Sequence, residues 1–390
     1  MSPLLPLPGA AGAAGGLRLL ALGAGLAAAG AGAALGLGAE RLVVGRPLLP
    51  LPGARPPRRE VPLGSLTGRP LVVRAGDGTQ LHVEVDELPE EERAAAAAEH
   101  RPTVVLSHGY GLNLDFWHVQ RLALRGRYRL VLWDQRGHGR SERGPRGSAT
   151  IDQVGEDLAD VLAATCPGGP LVLLGHSMGG MAVMALAARS PELVAERVVG
   201  TALISTSAGG MSANDYGLAA LAPALRRVAP TALGLLARRS GLVERTRTLG
   251  GDLETLLVRH WSYASDVPQD VVDFTAQMIA GTSVEVIDDF FPAFDRHDKA
   301  EALSALAGGE VLVLVGDHDL LTPPSHSDEI VRRLPGAEHV VVRDAGHLVP
   351  LEHPEVVQDA VEHLLARAAR VVAHDRAQPA ALVPPAAERA

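Results

Sequence analysis

The stretch LVLLGHSMGG, residues 171–180, decides the fold of this chain, because an apolar run leads directly into a turn rich in glycine. Its four leading apolar residues are typical of a strand that is buried on both faces. The residues after the turn, 181–189, favour a helix. A serine centred in a Gly-x-Ser-x-Gly turn is held in a strained backbone conformation, and side chains at Gly175 or Gly179 would clash. The pattern therefore predicts that Ser177 presents its hydroxyl at the carboxyl end of a buried strand.

Continuous apolar strands recur along the chain and alternate with helical patterns such as residues 152–164. Such strands, joined by helical crossovers, indicate an α/β fold in which a mostly parallel sheet carries helices on both faces. Active sites of such sheets lie at the carboxyl ends of the strands. The predicted strands are residues 103–107, 128–133, 171–174, 198–204, 311–315 and 339–342.

Two regions depart from this alternation. Residues 71–87 alternate apolar and polar side chains around Asp77-Gly78, which predicts a β-hairpin, and residues 90–99 predict a short exposed helix or insertion. From about residue 207 to residue 300 the pattern becomes helical. The position of this region, between the sixth and seventh strands, predicts an inserted helical cap over the active site.

Candidate partners for Ser177 follow the last two predicted strands. Asp317 and Asp319 follow the first of these strands, and His347 follows the second. A serine hydroxyl is a weak nucleophile until a base removes its proton, and a third group must hold that base. We therefore predict that Ser177 is the nucleophile, that His347 is the general base and acid, and that Asp319 orients His347. Asp317 competes for the role of Asp319.

These motifs resemble those of the α/β-hydrolase fold superfamily, in its serine esterase- and lipase-like subgroup with a helical cap. The resemblance covers roughly residues 71–370, and its Gly-x-x-Asp spacing favours Asp319 over Asp317. The matching motifs are His108-Gly109, the loop of residues 134–141 (DQRGHGRS), residues 175–179 (GHSMG), Gly316-x-x-Asp319 and Gly346-His347.

The resemblance implies further site residues. The residue after the His-Gly pair and the residue after the nucleophile would form the oxyanion hole with their backbone N–H groups, and these are Tyr110 and Met178. The Tyr110 side chain either lines the substrate pocket or shields the hole. His108 is expected to orient its loop, and with Trp117 it is also a candidate for the substrate pocket. No cofactor is required, and the histidines lack the paired spacing of a metal site.

The predicted reaction is hydrolysis of a carboxylic ester through an acyl-enzyme on Ser177. The substrate would be a small-molecule ester or a lipid-derived one. The same fold and nucleophile also accommodate peptidases, thioesterases, carbon-carbon bond hydrolases and cofactor-free peroxidases. A catalytically silent binding protein is the alternative from a different class, although such a protein has no physical need for a strained serine turn.

The amino-terminal segment has the composition of a membrane anchor. Residues 17–39 form an apolar run of about the 20 residues that cross a bilayer, which predicts an anchor. Arginines are concentrated after this run, which places the hydrolase domain on the cytoplasmic side. Cleavage of the segment as a signal peptide is the alternative, and it would make the protein secreted.

Composition limits the remaining possibilities. The chain has 390 residues, 47% of them hydrophobic, and a net charge of −9 without a basic stripe, so nucleic-acid binding is not expected. The oligomeric state stays open. The predicted organisation is a hydrophobic segment over residues 1–45, a linker over 46–69, a hydrolase domain over 70–371 with its cap at about 207–300, and a disordered tail over 372–390.

Overall fold

A computed structural model of the chain describes residues 60–211 and 258–377. Its centre is an eight-stranded sheet with the strand order β1-β2-β4-β3-β5-β6-β7-β8. The strands are β1 (Arg69–Arg74), β2 (Gln80–Asp86), β3 (Thr103–Ser107), β4 (Leu130–Trp133), β5 (Leu171–His176), β6 (Val198–Ile204), β7 (Glu310–Gly316) and β8 (Glu338–Val342).

The sheet is antiparallel only at one edge. β1 and β2 form the predicted hairpin, whose turn contains Gly78 at a φ of 92°, and β2 also pairs antiparallel with β4. From β4 to β8 every neighbouring pair is parallel. Parallel neighbours need long crossovers, so the connections contain helices. The predicted mostly parallel sheet is confirmed.

Helices separate the strands as the sequence predicts. The helices of the described residues are α1 (Glu90–Glu99), α2 (His118–Leu124), α3 (Ile151–Thr165), α4 (Met178–Arg189), α5 (Pro191–Arg197), α6 (Gln269–Gly281), α7 (Val284–Arg296), α8 (Pro324–Arg333), α9 (Val349–Glu352) and α10 (Pro354–Ala377), with a helical turn at 258–262 and 3₁₀ segments at Leu114–Trp117 and Ala300–Gly308.

Alternate residues of the strands enter two separate cores, one on each face of the sheet. Val105 and Leu173 belong to the first core, together with apolar residues of α3 and α4. Val104 and Leu174 belong to the second core, where α10 packs. Side chains of a strand point to opposite faces in turn, so continuous apolar strands are the sequence pattern that two covered faces require.

Two strand boundaries differ by two residues from the sequence prediction, each for a local reason. β5 continues two residues beyond Leu174, because His176 still pairs with Ile204 of β6. β4 begins at Leu130 instead of residue 128, because the N–H group of Tyr128 donates to Leu124 O in a turn after α2. The first difference brings the strand to the residue before Ser177 without an intervening loop.

A long insertion, residues 205–309, joins β6 to β7, and its described parts are mainly helical, as predicted for a cap. α7 lies close to the loop after β4, where a Cβ atom on Gly137 would be 2.9 Å from the Val286 side chain. Gly137 has a φ of 77°. A larger residue there would therefore meet both backbone strain and α7. Residues 212–257 of the predicted cap lie outside the described residues.

The termini were predicted to be a membrane segment, a linker and a disordered tail. The segment at residues 17–39 and most of the linker lie outside the described residues, so the membrane anchor stays a sequence prediction. Among residues 60–211 and 258–377, no helix combines the length and apolar character needed to cross a bilayer. At the other end, α10 continues to Ala377 and includes the first residues of the predicted tail.

The contact between α3 and α4 should depend on Gly155. A Cβ atom built on this helical glycine would be 2.6 Å from the Cβ atom of Ala185 in α4. We expect Gly155→Ala to lower the free energy of unfolding by about 1–3 kcal/mol, although alanine favours helix, because the close packing cannot accept a methyl group. Gly168→Ala, at an exposed site with no atom within 4 Å, is the control. Equal stabilities in urea unfolding would contradict the prediction.

Candidate active site

Ser177 occupies a sharp turn between β5 and α4. Its backbone has a φ of 52° and a ψ of −119°, a conformation that L-residues rarely adopt. Four hydrogen bonds hold it there. The Ser177 N–H group donates to Ile204 O at 3.0 Å, and the Ser177 carbonyl accepts from Gly180 N at 2.9 Å, from Met181 N at 3.2 Å and from Thr206 Oγ1 at 2.7 Å. The surrounding structure therefore determines the strained geometry.

The glycines on either side of Ser177 have no room for side chains. A Cβ atom on Gly175 would be 2.6 Å from Gly180 N, and one on Gly179 would collide with Ser107 O at the end of β3. The clash that the sequence predicts is thus present at both positions. Because Gly179 has no side chain, the start of α4 can lie directly against the end of β3.

Asp319 and His347 form a hydrogen-bonded pair beyond the ends of β7 and β8. His347 Nδ1 lies 2.9 Å from Asp319 Oδ2 and 3.0 Å from Oδ1. Both side chains are buried, with exposed fractions of 6% for His347 and 0% for Asp319. A carboxylate can only accept these bonds, so Nδ1 carries the proton and Nε2 is the nitrogen left to act as a base.

Asp319 is fixed by the residues that follow it. Oδ1 accepts from the N–H groups of Leu321 and Thr322, each at 2.9 Å, and Oδ2 accepts from Thr322 Oγ1 at 2.9 Å. Burial opposes ionisation, but His347 and the Thr322 hydrogen bonds outweigh it and hold the pKa of Asp319 below its usual value. The sequence analysis missed Thr322. An Asp followed three residues later by Thr is the signal that could have identified it.

Asp317, the competing acid, faces away from this pair. Its carboxylate is bonded to His318 Nδ1 at 2.6 Å and accepts from Ala345 N at 3.3 Å. Its side chain is 30% exposed, whereas Asp319 is fully buried against His347. The geometry therefore favours Asp319 for the role of orienting the base.

The loop of His347 is linked to the residue before Ser177. His176 Nε2 donates to His347 O at 3.0 Å, and the two imidazole rings have centroids 4.9 Å apart. Within the described ranges, Ser177 Oγ and the His347 ring form no direct hydrogen bond. Such bonds are often long in enzymes without substrate and tighten when substrate binds.

The two predicted oxyanion donors, Tyr110 and Met178, belong to segments close to Ser177. Met178 is the first residue of α4, so its N–H group has no carbonyl partner within the helix. Tyr110 follows Gly109, on which a Cβ atom would be 3.2 Å from Ser177 Cβ. The Tyr110 side chain extends toward the insertion, where Tyr110 Oη donates to Ile287 O of α7 at 2.6 Å.

The family model of the alpha/beta hydrolase fold matches residues 102–354, which is more than half of the chain. The chain belongs to the alpha/beta hydrolase fold family. Three proteins that are similar to this chain in sequence or in structure are described next.

RutD of Caulobacter sp., by its name a candidate carbamate hydrolase, is 28% identical over 72% of this chain and 96% of its own length. The pimeloyl-acyl-carrier-protein methyl ester esterase of Aeromonas hydrophila is 27% identical over 68% of this chain and 95% of its own length. The solved enol-lactonase of Burkholderia xenovorans has a TM-score of 0.59 and 25% identity, covering 76% of this chain and all of that one. All three names describe hydrolysis.

The two predicted pocket residues of this alpha/beta hydrolase are buried. His108 has no exposed surface, and both ring nitrogens bind backbone atoms: Nδ1 donates to Gly109 O at 2.7 Å and Nε2 accepts from Gln135 N at 3.0 Å. Trp117 is fully buried in the second core against Phe116. These placements favour a loop-orienting role for His108 and a packing role for Trp117 over contact with substrate.

Three histidines beside the site are buried and neutral. Burial lowers the pKa of His108 to about 4 and the pKa values of His138 and His176 to about 3. At neutral pH each of the three is a neutral imidazole, and none carries the second proton of the imidazolium form that a general acid would donate. Within residues 60–211 and 258–377, no group of His, Cys, Asp and Glu side chains could hold a metal ion.

His138 should make the fold sensitive to mild acid. Its pKa is about 3 in the fold and about 6.5 in the unfolded chain. The unfolded state therefore binds more protons below pH 6.5, and stability is complete above that pH and is lost as the pH falls. From pH 7 to pH 5 we expect a loss of about 2 kcal/mol from this residue.

His138→Asn removes this titration, and an asparagine amide can still donate to Arg136 O as Nδ1 does. We expect the variant to lose less stability than the parent between pH 7 and pH 5 in chemical denaturation. Comparing the two proteins cancels the other titrating groups. Identical pH dependence would show that His138 is not held neutral by the fold.

Proposed function

We propose that this protein hydrolyses carboxylic esters through an acyl-enzyme formed on Ser177. The observation that carries the proposal is the buried Asp319–His347 pair, with contacts of 2.9 and 3.0 Å, on the same sheet rim as the strained Ser177 turn. A serine, a histidine and a carboxylate so placed can perform acyl transfer to water.

In the first half of the reaction, His347 Nε2 takes the proton of Ser177 Oγ while Oγ bonds to the ester carbonyl carbon. The carbon–oxygen bond to the leaving alcohol then breaks, and the imidazolium returns the proton to that alcohol. In the second half, His347 takes a proton from water, whose oxygen attacks the acyl carbon. As this intermediate collapses, the bond between the acyl carbon and Oγ breaks and the imidazolium returns its proton to Oγ, which releases the acid and restores the Ser177 hydroxyl.

Groups near Ser177 and His347 would stabilise the negative and the positive charge that develop in these steps. The N–H groups of Tyr110 and Met178 would stabilise the oxyanion, and the amino-terminal end of α4 adds a favourable dipole. Asp319 is held ionised by its neighbours, so it would stabilise the imidazolium of His347. Removal of either contribution should slow the reaction more than it weakens substrate binding.

An ester is the favoured substrate because two of the three similar proteins have names that specify an ester as their substrate. The names of the Aeromonas and Burkholderia proteins specify a methyl ester and an enol lactone, which is a cyclic ester. Carbamate hydrolysis, which the name of RutD suggests, would use the same attack on a carbonyl carbon. Peptidase, thioesterase and carbon-carbon bond hydrolase activities are the alternatives that the same nucleophile could perform.

The nucleophile can be tested directly. We expect a fluorophosphonate probe to label the protein and p-nitrophenyl esters of increasing acyl length to be hydrolysed, with an optimum that measures the acyl pocket. Ser177→Ala should abolish labelling and reduce turnover by about 10³-fold or more, because the attacking oxygen is lost. Ser190→Ala, at the end of α4, is the control. A folded Ser177→Ala variant that is still labelled would disprove the assignment.

The acid can be tested with a matched pair of variants. Asp319→Asn should lower kcat by about 10²-fold or more, because the amide cannot stabilise the His347 imidazolium and favours the wrong tautomer. Asp317→Asn should leave kcat within about twofold, because Asp317 touches His318 instead. Steady-state kinetics on one p-nitrophenyl ester suffices. The reverse ranking would transfer the role to Asp317.

A further inference from the structure

Outside the three proposed catalytic residues, Glu352 has the most concentrated set of hydrogen bonds near the site. It is the last residue of α9, and both oxygens of its carboxylate accept from backbone N–H groups. Oε1 accepts from Ala264 N at 2.8 Å, from Ser265 N, and from Ser265 Oγ at 2.7 Å. Oε2 accepts from Gly346 N at 2.6 Å. All four partner groups can donate, and a carboxylate has enough acceptor sites to satisfy them together.

These four bonds join two segments that are far apart in sequence. Residues 264 and 265 belong to the insertion, just before α6, and Gly346 directly precedes His347. A second bond runs in parallel on the other side of His347, where Leu348 N donates to Ser262 O at 2.9 Å. The N–H groups of Gly346 and Leu348, the residues on either side of His347, are therefore linked to residues 262–265, the first through Glu352 and the second directly.

The contact between these segments is close enough to require a glycine. A Cβ atom on Gly346 would be 2.8 Å from Ser262 O and 2.9 Å from Tyr263 Cα. On its remaining side, His347 O accepts from His176 Nε2 at 3.0 Å. The backbone of His347 is thus held between the insertion and the residue before Ser177.

We propose that Glu352 is a positioning residue through which residues 262–265 of the insertion set the geometry of His347. The proposal rests on the proposed role of His347 as the base. Glu352 acts on the reaction only through the backbone at Gly346, which aims the imidazole at Ser177. The same contacts that hold residues 262–265 against the hydrolase domain then also place the imidazole of His347.

Glu352→Gln tests the proposal with little change in shape. An amide offers one accepting oxygen, so in either orientation its NH₂ group faces at least one of the N–H donors and breaks that side of the bridge. We expect kcat on a p-nitrophenyl ester to fall by about 10- to 100-fold while KM changes less than about threefold, because misplaced catalytic groups slow chemistry without removing substrate contacts. Glu355→Gln, exposed in the first turn of α10, is the matched control.

A second variant keeps the test decisive if Glu352→Gln folds poorly. Ser265→Ala removes only the hydroxyl donor to Oε1 and should lower kcat by about two- to fivefold, in line with the loss of one hydrogen bond to a charged group. In the double variant the two effects should not be additive, because both act through one bridge. An unchanged kcat in folded Glu352→Gln, or an effect confined to KM, would overturn the proposal.

Hydrogen exchange followed by mass spectrometry separates this proposal from the proposed function. In Glu352→Gln, peptides covering residues 262–265 and 344–348 should lose protection together, whereas Glu355→Gln should leave both unchanged. This result does not depend on turnover. If the parent protein fails to hydrolyse esters, the proposed function is wrong, and exchange still decides whether Glu352 couples the segments. Loss of protection on one side alone would overturn the coupling.

Discussion

The close approach of the Ser177 turn to its neighbouring strands is the constraint on which the rest of the site depends. Gly179 lies against Ser107 O at the end of β3, and the Ser177 N–H group is bonded to β6. A backbone at a φ of 52° persists only where surrounding contacts fix it, since it is otherwise unfavourable by about 1–3 kcal/mol. The parallel sheet supplies those contacts because β5 lies between β3 and β6. The turn is therefore a product of the whole sheet.

Local patterns were sufficient to predict the fold and to place the proposed site residues beyond the ends of parallel strands. The predicted strands became strands because runs such as Val311 to Val315 can be buried on both faces, and the hairpin followed from alternation around Asp77-Gly78. Ser177, Asp319 and His347 could be located because each follows a strand, and parallel strands end on one rim. Each of these inferences needs only short-range sequence and one rule of chain geometry.

Two residues near the site differ in how far their roles could be predicted. The Thr322 hydroxyl donates to Asp319, three residues before it, so a local spacing existed. Glu352 accepts from N–H groups that only the folded chain places beside it, and no spacing rule links Glu352 to residues 264 and 265. The pocket candidates were uncertain for a related reason. A loop histidine or tryptophan near a motif has the same sequence signature whether it faces substrate or, like His108 and Trp117, the core. Burial is a property of tertiary packing, so it separates these cases only after folding.

The distribution of the site along the chain also has a consequence for folding. Ser177 follows the central strand β5, but Asp319 and His347 follow β7 and β8, which join one edge of the sheet after the long insertion. Contacts of such wide sequence separation form slowly and late. A chain that has emerged from the ribosome only as far as β6 already contains Ser177, the proposed nucleophile. It lacks His347, the proposed base, and it exposes the unpaired edge of β6, which is prone to association. The proposed active site can therefore be complete only after β7 and β8 have been synthesised and have joined the sheet.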